Sequence, residues 1–431
     1  MRQIRSFLSL SILIASLLAP AGALATNGDI LIGVGTERGM GGAGIANMAQ
    51  DAAGGIRLNP ASIAGLEKNR VDAIGTLFIP SVDARANLGA GATSDSSSAN
   101  YFIVPAFGFA VPISDRIAVG FSGYGISGMG VDYLNKNVGN TAAFGGMPAP
   151  YSNFVGALDF KTTKQLFQFA PAAAFEIVKD RFSIGVSPMI NYGTLDLGQG
   201  MQQTIGFGGK VGLRWQIFDW IAVGAVYKTP SRMKYSRVFD FDGDGTMDNL
   251  RLDQPQEVGW GVSLMPIEGL LICADGKWIN WGAADGYDDF RWEDQYVAAF
   301  GVQYAVLKWL TIRGGYNYGA SPIRNDSGFA SGTSIGTGPD NLRIQGNLMN
   351  GGEAGVFAYE AFRTLGFPAI VEHHLTLGAT VSFKEHYAIS LAYMHAFEAS
   401  LNETGTLDGQ PVSMGSSLAE DTVTIGFHFE F

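Results

Sequence analysis

The stretch Thr422-Val423-Thr424-Ile425-Gly426-Phe427-His428-Phe429-Glu430-Phe431 decides the fold. Val423, Ile425, Phe427, Phe429 and Phe431 fall on one face, and Thr422, Thr424, Gly426, His428 and Glu430 on the other. A two-residue period sends these sets to opposite sides of a sheet. In a membrane barrel the apolar face meets lipid and the polar face meets the lumen. The same alternation recurs upstream. Leu375, Leu377, Ala379, Val381 and Phe383 oppose His374, Thr376, Gly378, Thr380 and Ser382, and Phe182, Ile184, Val186, Ile190 and Tyr192 oppose Ser183, Gly185, Ser187 and Asn191. Tyr387, Ile389, Leu391, Tyr393 and Phe397 form one further apolar face.

The connections alternate in length. Tight polar turns are expected near residues 114–116, 179–181, 218–219, 266–268, 307–308 and 384–386. Longer loops are expected near 84–99, 129–161, 195–205, 231–252, 282–291, 320–370 and 399–418. Thirteen connections join fourteen strands. The even count, with short turns on one side and long loops on the other, is that of outer-membrane barrels, and it puts both termini in the periplasm.

Export follows from the first residues. Arg2 and Arg5 precede an apolar run from Phe7 to Leu18, and Ala23-Leu24-Ala25 gives the small-x-small pattern of a cleavage site. Residues 1–25 therefore read as a removed signal peptide. Beyond them no apolar run is long enough for a spanning helix. Yet charged residues are only 16% of the chain and glycine contributes 59 of 431, against roughly 25% charged residues in soluble domains. A closed barrel pairs every backbone group between strands and satisfies both facts. The net charge of −11 and the absence of a basic tract exclude a nucleic-acid partner. Cys273, the single cysteine, has no partner within the chain for a disulfide and reads as a buried or lipid-facing small residue.

Residues 26–69 lack strand alternation and are rich in glycine and alanine. They are expected to fold back as a plug, or hatch, inside a barrel of residues 70–431. Within them Asn59-Pro60-Ala61 can open a short helix, since Asn caps well and Pro suits the first helical position.

Several motifs resemble the FadL-type transporters of long-chain fatty acids and hydrophobic compounds. They are Gly39-Met40-Gly41-Gly42-Ala43-Gly44-Ile45-Ala46, Asp51-Ala52-Ala53, Leu58-Asn59-Pro60-Ala61, Ala320-Ser321-Pro322, and Ala392-Tyr393-Met394-His395. The resemblance covers nearly the whole exported chain. It implies an all-β, fourteen-stranded barrel plugged by a hatch, a hydrophobic groove between outer loops, a deeper pocket, and a kinked third strand through which substrate leaves sideways into the bilayer. Transport is then passive and needs no cofactor. Residues 324–367 depart from the family in length.

The kink has a local signal. Gly123, Gly125 and Gly128 fall in the third strand, near 116–128, and glycines inside a strand mark bulges or bends. Their spacing matches G-x-G-x-x-G, as does Gly39–Gly44, but a dinucleotide site needs a strand, a helix and a distant carboxylate around it. Asp240, Asp242, Asp244 and Asp248 stand at positions 1, 3, 5 and 9 of a calcium-like loop with Gly245 at 6. Arg251 occupies position 12, where a bidentate glutamate is expected, so Ca2+ in an outer loop and a plain acidic turn both remain open. Leu134, Phe144, Met147, Tyr151 and Phe154 are apolar residues in a loop that should be wet, and such patches mark substrate contacts or loop packing. A short amphipathic helix is expected over 353–365. None of His373, His374, His386, His395 and His428 sits in a recognisable serine or acidic constellation, so an enzyme is not expected. The expected partners are a hydrophobic small molecule, outer-membrane lipid and lipopolysaccharide, and the barrel-assembly machinery, which would read Phe431; the chain is expected to be a monomer. A general porin for hydrophilic solutes and a surface adhesin are the alternatives from other classes.

Overall fold

The computed structural model describes residues 33–87, 91–136, 138, 161–240, 245–330, 343–344, 347–348, 359–407 and 410–431. Fourteen antiparallel strands form the barrel: β1 Arg70–Asn87, β2 Phe102–Pro112, β3 Ile117–Met129, β4 Thr163–Val178, β5 Phe182–Asp196, β6 Gln202–Phe218, β7 Ile221–Lys228, β8 Glu257–Leu264, β9 Leu270–Ile279, β10 Gln295–Leu307, β11 Leu310–Gly319, β12 His373–Phe383, β13 Tyr387–Leu407 and β14 Gln410–Glu430. Each pairs with the next. The ring closes where β1 runs along β14 from Arg70 opposite Glu430 to Asn87 opposite Ser413.

The alternation places side chains as the polarity pattern requires. On β14, Val423, Ile425 and Phe427 are exposed on the outer wall, while Thr422 and Thr424 are buried within. The six tight turns gather at one end, beside Asn69 and Phe431, which exchange backbone hydrogen bonds of 3.0 and 3.1 Å. At the turn into β13, Lys384 and Glu385 both take positive φ, 53° and 57°. The long connections lie at the other end.

Two expected loops are largely strand instead. Within 84–99, β1 runs on to Asn87 and Ala92–Ser96 pairs back onto Asp83–Asn87. The described residues of 399–418 continue β13 and β14 as a hairpin that rises past β12, while β14 stays paired with β1 as far as Ser413. A bulge between Ala396 and Ala399 shifts the register there. It breaks the two-residue period, which is why the segment reads as irregular in sequence.

The hatch lies in the lumen. It holds a 3-10 turn Gly35–Met40, an α-helix Ala52–Leu58 and a second 3-10 turn Pro60–Ile63. Asp51 caps the α-helix by accepting the Gly54 N–H at 2.6 Å. Wall carboxylates hold other hatch amides. Asp275 Oδ2 accepts from Gly44 N at 2.7 Å and Ile45 N at 2.9 Å. Asp72 Oδ2 accepts from Ala52 N at 2.6 Å, and Asp72 Oδ1 bonds His428 Nδ1 at 2.7 Å. Charge-assisted bonds of this kind contribute roughly 1.5–3 kcal/mol each. Glycines in the wall let the hatch come close: a Cβ on Gly315 would fall 2.1 Å from the Met40 carbonyl carbon. Cys273 faces this interface, with Asn47 Nδ2 of the hatch 3.2 Å from its Sγ.

Candidate functional site

Asn59, Pro60 and Ala61 are buried where the hatch meets the wall. The Asn59 side chain accepts from Ala61 N at 3.0 Å, capping the second 3-10 turn. Its amide donates to Ile45 O at 2.8 Å and to Leu213 O of β6 at 3.0 Å. One side chain thus ties two parts of the hatch to the barrel. A Cβ on Gly212 would fall 1.9 Å from Asn59 Oδ1, so the wall is glycine at this contact.

The third strand is irregular at its glycines. Its ladder with β2 runs from Ala118 opposite Pro112 to Tyr124 opposite Ala106 and ends there, although β3 continues to Met129. The facing residues of β2, Phe102 to Pro105, pair only with β1. On the other side the register with β4 shifts between Gly125, opposite Phe167, and Ser127, opposite Leu166. The bulge therefore falls at Ile126, between Gly125 and Gly128. The inner side of this seam is apolar, with Phe78, Phe102, Tyr124, Ile126 and Met129 all buried. Phe78 and Phe102 stack at 6.3 Å. Outside, the Phe107 ring covers Gly123, and Val104 reaches Gly125: a Cβ on Gly125 would meet Val104 Cγ1 at 2.7 Å.

At the head of the seam Met129 pairs with Lys164 of β4. Both border a small, mostly apolar pocket with Leu250, Leu252, Tyr287, Phe290, Trp292, Phe362, Arg363 and Phe367. Lys164 is fully buried. Its ammonium lies 5.0 Å from the centre of the Tyr287 ring and donates to the Tyr287 hydroxyl. Among the described residues no carboxylate stands within ion-pair distance of it. Trp281 packs edge to face on Tyr287 and Trp292, which are tilted against each other, with centroids 4.6–4.9 Å apart, and Phe290 meets Phe362 at 5.3 Å. The space between the rings is about 20 Å3, room for no more than a water.

Arg363, the second cation at the pocket, is already paired. It donates to Glu360 Oε2 at 2.7 Å and to Glu403 of β13, and Asp326 lies 3.8 Å away. Asp326 also takes Arg291 at 2.8 Å and Arg324 at 3.1 Å. The network straps the helical turn Tyr359–Gly366 to the head of the barrel. That turn is the described part of the helix expected over 353–365; residues 353–358 lie outside the described residues.

The remaining candidates are distributed as follows. Leu134 is exposed after β3, and Phe144, Met147, Tyr151 and Phe154 lie outside the described residues. Asp248 opens the return strand of a small ribbon, Lys234–Phe239 with Asp248–Arg251. Asp240 Oδ2 accepts from Gly245 N at 2.9 Å, while Asp242 and Asp244 lie outside the described residues. Arg251 turns to Asp253, at 2.7 Å, and Asp285. Among the described residues no group of three His, Cys, Asp or Glu side chains is arranged to hold a metal.

Sequence reading missed the Lys164 pocket. Parity along β4 carries the signal: Lys164, Leu166, Gln168 and Ala170 share the lumen face, so a lysine is sent inward at the start of a strand. The pocket's rings come from two separate loops, and no spacing announces that they meet.

The comparisons with known proteins bear on the whole architecture. The chain is similar to the solved toluene transporter TodX of P. putida, at 16% identity over 93% of this chain and 99% of that one, with a TM-score of 0.62. It is similar to a Pseudomonas aeruginosa FadL homologue at 15% identity, covering 95% and 99%, with a TM-score of 0.62. The Ralstonia pickettii toluene transporter TbuX gives 15% identity, 93% and 99% coverage and a TM-score of 0.58. At such identities the likeness shows the shared fold. No curated protein sequence matches the chain. A family model described as outer membrane protein transport protein (OMPP1/FadL/TodX) matches residues 12–254. That match spans more than half of the sequence, and the chain belongs to this family of outer-membrane transport proteins.

Proposed function

We propose that the protein carries long-chain fatty acids, or hydrophobic molecules with a similar anionic head, passively across the bacterial outer membrane. The observation that carries this reading is the pairing of Lys164 with Met129. It sets a buried cation, among aromatic rings, directly at the head of an incompletely paired seam. A buried ammonium without a carboxylate is costly, and a visiting carboxylate relieves that cost. The apolar tail then has the ring pocket and the seam lining to follow. Apolar walls with one placed polar group are the usual design of a small-molecule site.

On this reading residues 1–25 are removed on export, and the short-turn end with both termini faces the periplasm. The ligand enters between the long loops and leaves sideways between β2 and β3 into the bilayer. The hatch favours this route over an open porin, because its residues are held to β1, β6, β9 and β14 around the wall. TodX and TbuX are named for toluene, which has no head group. The cluster Trp281–Tyr287–Trp292 would suit such a ring, whereas Lys164 favours a carboxylate.

The test is to purify the protein from cells without added lipid, extract the bound molecule and identify it by mass spectrometry. A long-chain carboxylic acid is expected. A hydrocarbon without a head group, or a hydrophilic solute, would overturn the assignment.

A further inference from the structure

A large cavity lies elsewhere, at the short-turn end beneath the hatch. It measures about 480 Å3, within the range of small-molecule sites. Its ceiling is the hatch segment Ala46-Asn47-Met48-Ala49-Gln50. Three arginines from different strands grip that segment. Arg214 of β6 donates to Ala46 O at 2.9 Å, Arg313 of β11 to Gln50 Oε1 at 2.9 Å, and Arg70 of β1 to Ala49 O.

Among the described residues two of these cations hydrogen-bond only neutral groups; the carboxylates that act on them, Glu176 on Arg214 and Asp51 on Arg313, stand beyond ion-pair distance. Arg70 is neutralised by Glu430 at 2.9 Å. Arg214 adds only the Gln216 side-chain oxygen to its hatch carbonyl. Arg313 adds Gln303 Oε1 at 2.7 Å and Thr380 Oγ1 at 2.6 Å. Both residues are more than nine-tenths buried, and among the described residues neither has a carboxylate at ion-pair distance. Glu385, His386 and His428 also border the cavity. Glu385 is exposed in the turn before β13, and His428 is bound to Asp72. Apolar surface completes the lining: Met48, Met265 and Leu271. Methionines adapt to irregular aliphatic chains.

We infer that this cavity is a second binding site, for an amphipathic carboxylate, whose head engages Arg313 and Arg214 and whose tail lies along Met265 and Leu271. A carboxylate makes a stronger hydrogen bond to guanidinium than a neutral amide or carbonyl does. Its arrival competes with Gln50 and Ala46 and so loosens the hatch floor. The substrate class rests on the proposed function; the site itself rests on the cavity and on two buried arginines with no carboxylate at ion-pair distance among the described residues.

The test uses full-length protein in nonionic detergent micelles, which leave both ends accessible. The probe is dodecanoate carrying a photoreactive diazirine near its methyl end, with adducts mapped by mass spectrometry. Adducts are expected within residues 46–50 and at Met265 or Leu271, with protection by unlabelled dodecanoate and little by dodecanol. Q303E places a carboxylate beside Arg313 in nearly the same volume and leaves the hatch contacts in place. It should reduce labelling there at least tenfold, as should R313Q, while labelling around Phe362 and Phe367 persists. K164M should do the reverse. If the 46–50 and Met265 adducts are absent, survive Q303E, or are protected equally by dodecanol, the second site is wrong. If they behave as stated while K164M changes nothing at Phe362, the second site stands and the proposed role of Lys164 fails.

Discussion

The Lys164 ammonium sits 5.0 Å from the centre of the Tyr287 ring and donates to that ring's hydroxyl. The ammonium therefore lies at the hydroxyl end of the ring, near its plane, and the Tyr287 oxygen is the acceptor that holds it in the pocket. Replacing Lys164 with Met keeps the stem and removes the charge. A charge-assisted bond contributes about 1.5–3 kcal/mol, so fatty-acid affinity is expected to fall roughly tenfold to a hundredfold. Titration calorimetry with a short fatty acid measures it. The corresponding alcohol should bind the wild type and K164M alike, and equal losses for acid and alcohol would mean that Lys164 acts only by packing.

The seam between β2 and β3 can be closed covalently. A Cβ on Gly125 would lie 2.7 Å from Val104 Cγ1, so cysteines at the two positions are near bridging range. In a C273S background, oxidation of V104C/G125C should block uptake and reduction should restore it. Uptake unimpaired with the bond formed would exclude the lateral route and leave passage through the short-turn end.

Acidity should tighten the strap over the pocket. Burial pushes the Glu360 carboxyl up to about 8 from its ordinary 4.5; Arg363 opposes the shift and Glu403 adds to it. A carboxyl raised in the folded state binds its proton more tightly there than when unfolded. Its stabilising contribution is complete below about pH 4.5 and is lost as pH rises through about 8. Hydrogen exchange in Tyr359–Gly366 should therefore speed up over that window beyond its intrinsic pH dependence. E360Q should flatten the excess, and an excess that persists in E360Q would place the titration elsewhere.

Much of the fold is legible in the chain, and the reasons differ by element. The outward and inward sets of β14 follow from a period of two that lipid on one side and lumen on the other both enforce. The glycines of β3 mark its defect through their crowding, Gly123, Gly125 and Gly128 falling within six residues, although β6 carries four glycines and Gly212 there serves close hatch contact instead. The 399–418 hairpin is hidden by a single bulge at Ala396–Ala399. The pocket is hidden for another reason: Lys164, Tyr287 and Phe362 are far apart in sequence and meet only through barrel closure and loop packing. Asp275 and Asp72 read as ordinary lumen carboxylates, and only the folded hatch shows that they hold its backbone amides.

The acidic loop makes a separate prediction. Asp240 and Asp248 flank the ribbon turn, and with Asp242 and Asp244 they offer carboxylates at calcium-loop spacing. Millimolar Ca2+ is expected to raise the unfolding temperature of the wild type, and D240N/D242N/D244N should abolish the shift. A wild type indifferent to calcium would identify the segment as a plain acidic turn.

The most direct test of the account is uptake of radiolabelled oleate by cells that lack their own outer-membrane fatty-acid channel and express this protein. The account predicts oleate entry well above the empty-vector level, a roughly tenfold fall in K164M and no accompanying entry of small sugars. Oleate uptake at background, or sugar entry that rises with expression, would contradict it.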